Sequence, residues 1–190
     1  MKNGEIKNLN LVFKKFNKIL NSTNLNVYFI GGGSLLGIIR EKKFLKFDDD
    51  IDFETLSSEL RTHKEELIKI FRKKGFLVKY KSYNGLYPKL NFFKSGIKIS
   101  LGSFEEKNSI WAVSRINKMP IIFFKKIKKI KFMGTYVNVP KNHEKYLRYV
   151  YNNWKIEDRS GYFYKLEYYR HDTFYTLLYK IRRILHLIRD

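Results

Sequence analysis

Apolar residues near the start of the chain fall three and four apart: Leu9, Val12, Phe13, Phe16, Ile19 and Leu20, set among Lys and Asn. That spacing lines one face of a helix, so the chain opens with an amphipathic helix. Residues 27–30, VYFI, are a short apolar run stopped by Gly31-Gly32-Gly33 and read as a buried strand. SLLGIIR (34–40) is too short for another strand and predicts one or two helical turns. After a charged loop, IDFE (51–54) predicts a second strand. Thr62 and Glu65 have capping-box spacing and Gly75 stands where a helix-ending glycine belongs, which frames a helix with Leu67, Ile70 and Phe71 inward.

Further on, residues 76–80, 86–93 and 97–101 are strand-like, broken at Asn84-Gly85 and Ser95-Gly96. IKKIKF and TYVNVP flank Met133-Gly134 as a hairpin ending at Pro140. Asn142 then caps a helix over HEKYLRYVYNN, and residues 172–189 carry a last helix with basic residues opposite its apolar face. The order of elements predicts an α+β domain, not a regular parallel βαβ array.

Composition narrows this picture. A chain of 190 residues fits one domain, and 44% apolar with 17% aromatic residues excludes disorder. The charge is lopsided, with 39 Lys+Arg against 18 Asp+Glu and a net +21, which favours polyanionic partners. The abundance of Lys beside Asn, Ile, Phe and Tyr is also what A/T-rich codons produce. There is no cysteine, which excludes disulfides, Cys-ligated zinc and a thiol nucleophile. MKNGEIKNLN lacks the apolar centre of a secretory leader. The longest apolar candidate, Val27 to Ile39, is broken by glycines, so no membrane span is expected. The expectation is a cytoplasmic protein, at the inner face of a membrane.

Candidate chemistry concentrates in FIGGGSLLGIIREKKFLKFDDDIDFE, residues 29–54. Gly32, Gly33 and Ser34 follow a strand and precede a helical turn, where glycine lets the backbone approach a ligand and first-turn amides favour phosphate. Asp48, Asp49, Asp50 and Asp52 then crowd four carboxylates into five residues. On a strand Asp50 and Asp52 share a face while Ile51 points into the core. Paired hard oxygens on one strand suit Mg²⁺ with phosphate oxygens completing its shell.

Gly-Ser, a fifteen-residue spacer and Asp-x-Asp together resemble the signature of the nucleotidyltransferase-type superfamily. The stretch GGGSLLGIIREKKFLKFDDDIDF resembles the motif of the LicD family of phosphocholine and phospho-sugar transferases, which is related to fukutin. Ser34 replaces the family's Thr and Phe47 its Trp. A second stretch, KIKKIKFMGTYVNVPKNHEKYLRYVYNNW, is similar to the family in Val139-Pro140, Leu147, Tyr151 and Trp154. The resemblance spans about residues 10–155. It implies a nucleotidyltransferase-like mixed sheet flanked by helices over residues 1–155, with 156–190 a C-terminal aromatic and basic helical extension of the same domain. It also implies a transferase that moves phosphocholine or a polyol phosphate from a CDP-choline-like nucleotide-diphosphate donor to a hydroxyl of a surface or lipid-linked glycan, in lipopolysaccharide or capsule assembly.

Carried over residue by residue, Asp50 and Asp52 match the carboxylates that hold Mg²⁺ or Mn²⁺. Gly33 and Ser34 match the phosphate turn, and Arg40 matches an arginine expected to meet donor phosphate or acceptor charge. Asp48 and Asp49 either hold the loop or support the metal shell. One position departs from the pattern: Ser100 stands where the superfamily places a third carboxylate, and a neutral hydroxyl is neither a general base nor a strong ligand. Glu105 or Glu106 is the candidate substitute.

The scattered His63, His143, His171 and His186 have no ligand spacing. Lys89 is one phosphate-facing candidate among many lysines. The aromatic segment 162–169 either stacks on sugars or covers a core edge. The helix at 172–189 either docks on the domain or touches anionic membrane. Nucleic acid is not expected as a partner. The competing readings are a non-catalytic family member that binds nucleotide or glycan, and a nucleotidyltransferase acting on RNA or a small molecule.

Overall fold

The computed structural model describes residues 3–45, 50–83, 85–151 and 153–157. Its elements are α1 (Asn3–Leu20), β1 (Tyr28–Ile30), α2 (Gly32–Leu36), β2 (Asp50–Leu56), α3 (Ser57–Lys73), β3 (Leu77–Tyr83), β4 (Leu86–Lys94), β5 (Ile97–Glu106), β6 (Trp111–Val113), β7 (Lys118–Pro120), α4 (Ile122–Lys125), β8 (Ile127–Phe132), β9 (Thr135–Pro140) and α5 (His143–Val150). A π-helical turn, Gly37–Glu41, continues α2.

The main sheet runs β1-β2-β5-β4-β3, with β6 and β7 added at the end of β5, and β8–β9 form a separate hairpin. β1 lies antiparallel to β2, β2 parallel to β5, and β5, β4 and β3 follow as an antiparallel meander. This is the α+β mixed sheet flanked by helices that the sequence predicts.

On one sheet face the core forms because period-two apolar residues meet the period-3.6 stripe of α1, and on the other Phe29 and Phe104 pack against Phe124. All six residues of the predicted stripe on α1 are buried. Phe16 is the hub, its ring 5.2 Å from Phe53 of β2, 4.7 Å from Phe71 of α3 and 5.0 Å from Phe92 of β4. The other sheet face is polar around β2 and β5 and carries the candidate site.

Glycine ends α3 as expected. Gly75 has φ +80°, its amide donates to the Arg72 carbonyl, and the Phe76 amide donates to the Phe71 carbonyl. The Phe71 and Phe76 rings then touch at 5.4 Å, completing a Schellman cap with its apolar contact. The start of α3 differs from expectation. Thr62 is not its cap, because the helix begins at Ser57 directly out of β2. Burial decides this: Leu60 is in the core, and the Ser57 hydroxyl pairs with Ser103 Oγ at 2.9 Å. Thr62 instead donates back to the Ser58 carbonyl.

Two further differences follow from pairing. β5 runs on to Glu106 because β6 extends the sheet there. Asn142 makes no side-chain cap; its carbonyl accepts the Tyr146 amide and α5 closes at Val150. The predicted helix at 172–189 and the aromatic segment at 162–169 lie outside the described residues. No helix among the described residues is long and apolar enough to cross a membrane.

Candidate active site

Three rows of side chains cross the polar sheet face. In register, Asp50 stands beside Lys98, Asp52 beside Ser100, and Glu54 beside Gly102. Antiparallel pairing then sets Phe93 beside Lys98, Asn91 beside Ser100 and Lys89 beside Gly102. In-register neighbours share a face, so Asp50, Asp52, Lys98, Ser100, Asn91 and Lys89 look out on the same side. Ile51 and Phe53 point the other way, into the core.

The acidic pair is braced by its neighbours. Lys98 Nζ donates to Asp50 Oδ2 at 2.6 Å, and Ser100 Oγ lies 3.3 Å from the same oxygen. Ser100 Oγ is also 3.1 Å from Asn91 Oδ1. A serine hydroxyl has a single proton, so it serves one of these acceptors at a time. Ser100, where the resemblance leads one to expect a third carboxylate, stands beside Asp52 in register.

The glycine turn is stitched to β2. The Gly31 amide donates to the Asp52 carbonyl, and the Asp52 amide donates to Ser34 Oγ, both at 3.0 Å. Gly32 takes φ +53°, a backbone region that disfavours side chains, and a Cβ there would come 3.4 Å from Asp52 Oδ2. The turn is thus held directly against Asp52. First-turn amides of a helix have no intrahelical acceptors, which describes Gly32, Gly33 and Ser34 at the start of α2. That of Gly32 donates to Tyr146 Oη at 3.0 Å.

Tyr146 leads to a buried acid that the sequence reading passed over. Its hydroxyl donates to Glu54 Oε1 at 2.8 Å, while Glu54 Oε2 is buried without a partner. Burial pushes the Glu54 carboxyl up to about 8; the Tyr146 hydrogen bond draws it down, and the Asp52 charge raises it further. Glu54 is therefore mostly protonated at neutral pH. Its carboxyl also fixes the residue at 31, where an added Cβ would lie 2.5 Å from the carboxyl carbon.

Several sequence expectations change here. Ser34 is fully buried and holds the turn to β2, so its hydroxyl does not face an open phosphate site. Arg40 is engaged elsewhere: Nε pairs with Glu41 at 2.8 Å, and Nη1 donates to the Trp154 and Ile156 carbonyls at 3.3 and 3.2 Å. Through Nη1 it braces the chain beyond α5. Glu105 does not complete the acidic set, because it pairs with Arg61 and accepts the Tyr87 amide. It stands five residues along β5 from Ser100, roughly 17 Å at strand rise, and Glu106 is farther still. Asp48 and Asp49 lie outside the described residues.

Among the described residues, no cluster of three or more His, Cys, Asp or Glu side chains is arranged to hold a metal ion. The paired carboxylates Asp50 and Asp52 still fit Mg²⁺, which commonly takes one or two carboxylates and completes its shell with waters and substrate phosphates. Lys98 and Asn91 could have been read from strand parity around Ser100. Glu54 could have been read by continuing the Asp50, Asp52 alternation. Tyr146 has no local signal, since ninety-two residues separate it from Glu54.

No curated protein matches the chain significantly. The solved structure of ANT(2")-Ia in complex with adenylyl-2"-tobramycin is similar at 15% identity over 70% of each chain, with a TM-score of 0.48. The family model described as "LicD/FKTN/FKRP, nucleotidyltransferase domain" matches residues 26–142, which takes in the glycine turn, β2 and β5 but not Leu147, Tyr151 or Trp154. A match over more than half the chain, on a mixed sheet that sets Asp52 of an acidic pair against a glycine turn, makes this protein a member of the LicD/FKTN/FKRP nucleotidyltransferase-domain family, and so of a transferase family.

Proposed function

We propose that the protein is a Mg²⁺- or Mn²⁺-dependent transferase that moves a phosphorylated group, phosphocholine-like or a polyol phosphate, from a nucleotide-diphosphate donor to a hydroxyl of a cell-surface glycan. The observation that carries this is the placement of Asp50 and Asp52 on one strand face, with Asp52 directly against the Gly31–Gly33 turn. Asp50 and Asp52 would hold the ion, which when bound supplies charge neutralisation on the donor's phosphates. Backbone amides of the turn are suited to phosphate oxygens. Asp52 is fixed by its own amide and carbonyl to that turn, so carboxylate and phosphate cradle cannot drift apart.

In the transfer, the acceptor oxygen bonds to the distal phosphorus as the bond to the nucleotide's bridging oxygen breaks. The nucleoside monophosphate leaves, and the hydroxyl proton passes to a carboxylate of the pair or to solvent. The net +21 charge favours an anionic donor and an acceptor carried at an anionic membrane, on its cytoplasmic side.

The test is release of CMP from CDP-choline and CDP-polyols with Mg²⁺ and a panel of glycan acceptors. Release that falls to background in Asp50→Asn and in Asp52→Asn supports the proposal. Absence of release with every donor, or release untouched by both substitutions, overturns it.

A second reading has its own observation. With Ser100 beside Asp52 and Lys98 on Asp50, the site resembles one kept for binding. A non-catalytic member would bind nucleotide or glycan without turnover and with indifference to Mg²⁺.

A further inference from the structure

We propose that the outer face of the β6–β7 hairpin, with the cleft it shares with α4 and α5, is a docking surface for an anionic lipid bilayer. The inference deepens the transferase reading above, whose acceptor is carried at such a membrane, and rests on that reading for its purpose.

Strand parity divides the hairpin. Ala112 and Met119 are buried, while Trp111 and Val113 on β6 stand in register with Pro120 and Lys118 on β7, all four half-buried. The Lys118 ammonium lies over the Trp111 ring, 5.3 Å from its centroid. Pro120 also lines a largely apolar cleft of about 240 Å³ with Ile122, Phe123, Lys126, Asn142 and Lys145. Small-ligand pockets begin at roughly 300 Å³, so the cleft suits an inserted acyl chain better than a nucleotide. Two large apolar residues beside it stand in water. Ile122 is 45% exposed, and Ile110, whose carbonyl accepts the Ile121 amide, is 61% exposed.

Charge says what covers this face. Residues 107–143 contain nine Lys and Arg and no acid. Lys126 and Lys145 rim the cleft itself. Of the flanking acids, Glu105 pairs with Arg61, which leaves Glu106 and Glu144 against that excess. Apolar residues ringed by ammonium groups match a bilayer with anionic headgroups and an apolar interior. RNA would meet the charge but leave Ile110 and Ile122 in water. Residues 158–190 carry seven Lys and Arg against four acids, so the same lysines repel them as a cover.

The surface also lies close to the candidate site. Phe124 of α4 packs on Phe29 and Phe104, on the sheet face that carries Asp50 and Asp52. Phe123 of the cleft meets the Tyr146 ring at 5.4 Å, and the Tyr146 hydroxyl accepts the Gly32 amide. Only the Tyr146 side chain thus stands between Phe123 and the glycine turn.

The experiment sediments the full chain with vesicles of phosphatidylcholine, alone or mixed equally with phosphatidylglycerol. The wild type is expected to bind the mixed vesicles and not phosphatidylcholine alone. Lys126→Gln with Lys145→Gln should weaken binding about thirtyfold, and Ile110→Ser with Ile122→Ser about tenfold. Lys69→Gln with Lys73→Gln removes equal charge from α3, which packs across the sheet through Phe71 on Phe16. That pair should change binding less than about threefold. Cooperative melting by circular dichroism checks each variant. If a face variant fails it, quenching of Trp111 by brominated phosphatidylglycerol in Trp154→Phe decides instead. No binding by the wild type, equal binding to both vesicles, an unquenched Trp111, or binding untouched by both face variants overturns the inference. Lysine-dependent binding to RNA with none to vesicles assigns the face to nucleic acid and overturns it too. Failed docking with CMP release on a soluble glycan intact leaves the transferase reading standing. Vesicle binding without CMP release from any donor overturns that reading and leaves the docking surface standing.

Discussion

Glu54→Gln should abolish a pH dependence of stability that the wild-type chain carries at a single buried group. Folding moves the Glu54 carboxyl from an ordinary 4.5 up to about 8, chiefly through burial. A carboxyl whose pKa rises on folding stays protonated in the native state while the unfolded chain loses its proton. Stability is therefore full below the unfolded value and declines as pH rises from there toward the folded value. With those two values, linkage gives a loss of about 3 kcal/mol between about pH 5 and pH 8.

Glutamine mimics the protonated acid: its carbonyl can accept the Tyr146 hydroxyl, and it does not ionise. The variant should match the wild type within about 1 kcal/mol near pH 5 and exceed it by about 3 kcal/mol near pH 8. Urea unfolding of both chains across that range, followed by circular dichroism, reads the gap directly. Other titrating groups are common to both chains, so only the difference between them matters. A gap that stays constant with pH would refute the claim that Glu54 is held neutral between Tyr146 and the glycine turn.

Two further substitutions probe how the turn and its surroundings are held. Gly31→Ala sets a Cβ 2.5 Å from the Glu54 carboxyl carbon and should cost about 1–3 kcal/mol by overpacking. The double variant with Glu54→Ala should recover part of that loss, and strict additivity in a thermal-melt cycle would count against the contact. Arg40→Lys keeps the charge but loses the fork that reaches the Trp154 and Ile156 carbonyls. It should lower stability by about 1–2 kcal/mol and speed tryptic cleavage at Lys155; unchanged protection at Lys155 would mean that Arg40 is not the brace.

Much of this fold can be read along the chain because it depends on local periodicity and on turn chemistry. The apolar stripe of α1, the glycine stop after β1, the Gly75 cap and the Met133-Gly134 hairpin each follow from residues close in sequence. The acidic pair is of the same kind: strand parity alone places Asp50 and Asp52 on one face and Ile51 on the other.

What stands beside that pair is a matter of strand order and register. Pairing β2 with β5 sets Lys98 on Asp50 and Ser100 beside Asp52, and carries Glu105 away to Arg61. Arg40 reads in sequence as a ligand contact, and only the fold brings its Nη1 to carbonyls more than a hundred residues away. Glu54 looks like one more strand residue until α5 brings Tyr146 against it and removes water. Spacing along the chain determined which groups share a face. Only tertiary packing decided which of them remain charged and which neighbours they meet, because charge and partnership depend on burial and on residues distant in sequence.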